Sequence, residues 1–127
     1  MRLNRLELAW AAGFFDGKGC FSINRLGKSP NPKRIVGGRV GIVQKEKHNL
    51  VRFRKAVLGL GHITGPYFRR SPKGKRVYRF DFVATTFEEV QAIIGLLWFK
   101  LGPAKRRKAR LVLRAARKCR RNRPCVS

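Results

Sequence analysis

Apolar residues near the N-terminus follow a helical spacing. From Asn4 to Phe15, Leu6, Leu8, Trp10 and Phe14 mix with Ala9, Ala11, Ala12 and Gly13, which predicts a helix with one unusually small face. Asp16-Gly17 is expected to break it. The period then drops to two between Gly19 and Arg25, with Phe21 and Ile23 on one side and Ser22 and Asn24 on the other, so a half-buried strand follows. The turn chemistry of Gly27 to Arg34 leads into a second antiparallel strand, Ile35 to Gln44, giving a hairpin with a basic tip. Glu46 to Leu58 returns to helical spacing through Leu50, Phe53, Val57 and Leu58, and Gly59 and Gly61 close it.

The second half repeats the first. Strands from His62 to Arg70 and from Arg76 to Val83 flank the turn Ser71-Pro-Lys-Gly-Lys75, with Tyr78, Phe80 and Phe82 inward and Arg79 and Asp81 outward. Thr86 caps a helix whose first turn carries Glu88 and Glu89 near the positive end of its dipole, and whose core face includes Val90, Ile93, Ile94, Leu97 and Trp98. Pro103 starts a last helix to about Lys118. The order, αββαββα with one further helix, predicts one α+β domain over residues 1–118 with a basic tail at 119–127. In it a four-stranded antiparallel sheet is covered by helices on one face and left open on the other.

Charge changes the picture more than composition does. The 43% of hydrophobic residues suffices for a packed core, but 31 Lys and Arg face only six acids, for a net charge of +25. The acids are Glu7, Asp16, Glu46, Asp81, Glu88 and Glu89. A compact domain tolerates such self-repulsion best against a polyanion, and nucleic acid is the polyanion whose binding also releases counterions. Cys20, Cys119 and Cys125 lack the number and spacing of a disulfide framework or zinc site. Leu3 to Phe15, interrupted by Asn4, Arg5 and Glu7, reads as neither signal nor membrane span, so no membrane partner and an intracellular setting are expected, bacterial cytoplasm, mitochondrion or chloroplast.

Candidate contacts follow from strand parity and turn position. Ser22, Asn24, Gln44, Thr64 and Arg79 are expected on the open face, with Arg39 as a further contact. Lys28, Lys33, Arg34, Arg69, Arg70, Lys73, Lys75 and Arg76 crowd the hairpin tips, where they would hold phosphate. From Lys105 to Arg123 there are eleven basic residues and no acid, beginning Lys105, Arg106, Arg107 and Lys108, more than the sheet requires, which suggests a second basic face.

The segment Trp10-Ala-Ala-Gly-Phe-Phe-Asp-Gly-Lys-Gly-Cys-Phe-Ser-Ile23 closely resembles the signature of LAGLIDADG homing endonucleases, a helix ending in D-G-[D/E]-G before the first strand of a concave sheet. The resemblance extends through Val40-Gly-Ile-Val-Gln-Lys45 and Leu96 to Arg114. It implies that the small face at Ala9, Ala12 and Gly13 packs against a second copy, forming a homodimer on a roughly two-fold site; alternatively these residues pack within the monomer. Family members cut DNA with divalent metal held by the acid before the last glycine, and that position here is Lys18. An ammonium repels Mg2+ and attracts phosphate. Asp16 is expected to end the helix rather than hold metal, and Gln44 and Lys105 match positions that support the family's active site. No catalytic residue, metal or cofactor is therefore expected. The resulting expectation is a catalytically silent protein bracing structured RNA, ribosomal or intronic, with ribosomal proteins as further partners. The alternative is a homodimeric, Mg2+-dependent endonuclease on a pseudo-palindromic DNA site, with Lys18 as an inactivating substitution.

Overall fold

In the computed structural model, which describes residues 3–25 and 35–122, the Asn4 side chain accepts the Glu7 N–H at 3.1 Å and starts helix α1, Arg5–Lys18. The helix does not stop at Asp16-Gly17. It runs on to Lys18, and Gly19 closes it by donating its N–H to the Phe15 carbonyl. Asp16 is free to stay helical because its carboxylate accepts the Gly102 N–H at 3.0 Å, 86 residues away, instead of bonding back to its own turn.

Strands β1, Gly19–Arg25, and β2, Ile35–Gln44, form the first hairpin, whose tip lies outside the described residues. Helix α2, His48–Ala56, is shorter at both ends than the apolar spacing predicts. Strands β3, His62–Arg70, and β4, Arg76–Ala84, form the second hairpin around Ser71–Lys75. Helix α3, Phe87–Leu97, is followed by a 3-10 turn at Trp98–Lys100 and by α4, Pro103–Asn122, which continues past residue 118. The sheet order is β1-β2-β4-β3, antiparallel throughout.

Register settles which side chains are covered. Phe21, Val40 and Ala84 form one row across the sheet, and Ile42, Phe82 and Ile63 the next; the buried ones face the helices. Beneath the helices the rings of Phe15, Phe21, Phe53 and Phe82 join edge to face and stacked, at centroid distances of 4.6 to 6.0 Å. Helix α4 lies on β1 and β2 through Ala109, Val112 and Ala116. It sits so close that a side chain at Gly38 would collide with Val112 Cγ1 at 2.5 Å.

Helix α3 is anchored by one acid used twice. The Thr86 hydroxyl accepts the Glu89 N–H and donates to Glu89 Oε1, while Glu89 Oε2 accepts the Gly61 N–H at 2.6 Å. Gly61 reaches that carboxylate at φ +76, where a side chain would also strike the Phe82 ring. Tyr78 departs from its predicted inward role: it shares the row of Phe80 and Phe82 yet is 46% exposed, because the β3–β4 hairpin extends beyond the helices that cover the sheet.

Candidate nucleic-acid interface

Strand β2 ends at Gln44, opposite Phe80, so residues 76–79 of β4 project with β3 past the edge of the sheet. Between this projecting hairpin and the end of α1 lies a groove of about 860 Å3. Lys18, Gln44, Lys45, Tyr67, Arg69 and Arg79 are in its walls, and Glu46 is the one acid there, 3.3 Å from His48 Nδ1. Four cations thus surround one cleft, a setting for phosphate.

The signature positions converge on this end of the molecule but not as a metal site. Lys18 is exposed, the last residue of α1. Asp16 is engaged by Gly102, the residue preceding α4. Lys105 donates from Nζ to the Gly19 carbonyl at 2.7 Å, a cation at the C-terminal end of α1, and its ammonium lies 5.9 Å from the Phe15 ring centre. Among the described residues no group of three or more His, Cys, Asp or Glu side chains could hold a metal. The signature position does not fit the divalent ion that the resemblance implies: Lys18 presents an ammonium where the carboxylate would stand, and Asp16 Oδ1 accepts a backbone amide.

Gln44 requires a correction. The row Val40, Ile42, Gln44 faces the helices, so Gln44 lies half-buried at the covered face's edge, beside Lys18, and Val43 takes the open face, 52% exposed. Ser22 opposite Arg39, Thr64 opposite Asp81, and Arg79 opposite Tyr67 do occupy the open face. A one-residue bulge between Thr64 and Tyr67 keeps both on that side. Asn24 pairs through its backbone with Gly37. Arg69 shares the open side with Val77, whereas Arg70 and Arg76 share the opposite row, Arg76 lying 5.8 Å from the Phe68 ring. Lys73 and Lys75 are exposed at the turn; Lys28, Lys33 and Arg34 lie outside the described residues.

Asp81 is the feature that parity does not reveal. It points to the open face but is only 9% exposed, its Oδ1 has no hydrogen-bond partner among the described residues, and Arg79 Nε stands 3.5 Å away. Arg79 in turn lies 5.4 Å from the Tyr67 ring centre. A sheltered carboxylate below and an aromatic ring beside it restrict where this guanidinium can point.

The remaining candidates separate. Arg106 is held on the helical side by the carbonyls of Trp98 and Phe99, each at 2.9 Å, and Arg107 and Lys108 are exposed on α4. The proposed packing stripe also divides, with Ala9 and Gly13 exposed and Ala12 buried within the monomer.

Solved structures share this fold. The chain superposes on the homing endonuclease I-CvuI in complex with its target with a TM-score of 0.66 and 23% identity, over 91% of this chain and 68% of the other. The chain has the LAGLIDADG homing-endonuclease fold. The LAGLIDADG homing endonuclease I-GzeII in complex with a DNA target matches with a TM-score of 0.64 and 20% identity, over 95% of this chain but 39% of its own. I-CeuI, an intron-encoded homing endonuclease complexed with DNA, matches at 0.60 and 13%, over 87% and 53%. No protein-family model and no curated protein matches the chain. At these identities the likeness to the LAGLIDADG proteins is one of fold.

Proposed function

We propose that the chain is a nucleic-acid-binding protein built on the LAGLIDADG fold that grips without cutting, and that its target is structured RNA of the ribosomal or intronic kind. The observation that carries this reading is the replacement at the end of α1: Lys18 stands exposed on a groove with Lys45, Arg69 and Arg79, where phosphate is attracted and Mg2+ repelled. The neighbours' complexes with DNA support a nucleic-acid partner. The charge of +25, with basic side chains on both the sheet and α4 among the described residues, favours an RNA that folds around the protein and its ribosomal neighbours.

A second reading has its own support. Ala9 and Gly13 leave an exposed strip on α1, and nothing lies within 4 Å of where a Gly13 side chain would sit, so a second copy could approach closely. Such a homodimer would read a two-fold DNA site, with Lys18 marking a lost activity that Lys18→Glu would restore together with Mg2+ dependence. Crosslinking the protein in its host cells, purifying under stringent salt and sequencing what remains attached separates the two. Reads concentrated on ribosomal or intron RNA support the RNA reading; a short near-palindromic DNA site replaces it with the second.

A further inference from the structure

The helical side of the molecule carries a second cationic surface. Because α4 presses on the sheet through Ala109, Val112 and Ala116, Arg110, Arg114 and Arg117 fall on the flank turned towards α3. With Gln91, Ile94 and Trp98 they line a groove of about 530 Å3 whose walls contain no acid. Two guanidiniums lie against the Trp98 ring, Arg106 at 5.5 Å and Arg110 at 5.2 Å from its centre, and Arg106 is fixed there by two backbone carbonyls.

We propose that this α3–α4 groove is a second nucleic-acid site, taking an unpaired RNA segment, so that one chain ties together two segments of RNA. The inference rests on the reading that the sheet binds structured RNA. Three arguments support it. Like charges at i and i+4, as in Arg110 and Arg114, destabilise a helix. No acid within the described part of α4 offsets them, whereas a bound polyanion would. From Arg110 to Arg117 the helix rises roughly 10 Å at 1.5 Å per residue, long enough to meet more than one phosphate of a strand. An arginine-flanked indole beside apolar Ile94 and Leu113 suits an unstacked base, which a duplex does not offer.

Two RNA hairpins of unrelated sequence provide the test, one immobilised on beads and the other fluorescent. Wild-type protein should retain the fluorescent hairpin on the beads. The variant Arg110→Gln/Arg114→Gln/Arg117→Gln, verified as folded by circular dichroism, should retain about tenfold less while still binding a single hairpin within about twofold of wild type. Unchanged retention by the triple variant would assign bridging to two sheets of a dimer and overturn the proposal. So would wild-type protein that binds one hairpin but never a second. Failure of wild-type protein to bind any RNA, with duplex DNA bound instead, would be a failure of the underlying reading.

Discussion

The two faces of the sheet are made from the same strands and obey opposite rules. On the covered face Phe21, Val40, Ile42, Phe82 and Ala84 are buried under helices, and their identity is set by packing. On the open face Ser22, Arg39, Thr64 and Arg79 are held by register, and their identity answers to what lies outside. On the proposed reading stability belongs to the first face and binding to the second, so substitutions on one should largely leave the other's property intact. Asp81 is where this division weakens, since it faces outward and is nevertheless sheltered.

The largest effect should come from the covered face. Phe53→Ala removes the ring that contacts both Phe15 and Phe82, and chemical denaturation should show a loss of about 3–5 kcal/mol, with binding falling only as the folded fraction falls. Thr86→Ala should cost about 1 kcal/mol in the same measurement, because the α3 cap and the orientation of Glu89 towards Gly61 go together. On the open face, Arg79→Gln should weaken binding and lower the slope of log affinity against log salt by about one, with a stability loss confined to leaving the sheltered Asp81 carboxylate without its cation. Binding unchanged by Arg79→Gln would break the comparison. Asp81→Asn sharpens it: releasing Arg79 and removing a negative charge should raise affinity for random-sequence nucleic acid and lower the preference for the cognate target, as read by competition titration.

The smallest effect lies on the surface between α1 and α2. Arg52 makes two hydrogen bonds to the Glu7 carboxylate, at 3.1 and 2.8 Å, and holds its pKa below the ordinary carboxylate value. A lowered folded-state value means that the contribution is present above the ordinary carboxylate range and disappears as pH falls through the lowered one. Both groups are exposed, so solvent screens most of it. Glu7→Gln should therefore flatten only slightly the loss of thermal stability between neutral and acid pH.

Much of the fold was legible because strand parity and helical spacing are strong signals here. The bounds of β1 follow from its period-two run, those of β2 and β3 from the turn residues that flank them, and Thr86 announces its helix. Parity fails where apolar residues occupy adjacent positions: Ile42 and Val43 are both apolar, so the sequence alone does not say which is inside, and Gln44 is expected on the open face although its row is the covered one. Asp16 reads as a helix stop because its hydrogen-bond partner is distant in sequence. The small face of α1 was half legible, since composition shows that Ala9, Ala12 and Gly13 are small but not that Ala12 points into the core. Nothing local to Arg79 or Tyr67 signals that a bulge aligns them over a buried carboxylate.

The central proposal is that Lys18 makes the end of α1 a place that grips phosphate and does not cut. The direct test is to incubate the protein with the nucleic acid recovered by crosslinking, with and without Mg2+, and to follow both binding and strand length on a denaturing gel. The account predicts tight, salt-sensitive binding of an RNA that stays full length in Mg2+. Mg2+-dependent scission of a bound DNA by the protein carrying Lys18 would contradict it.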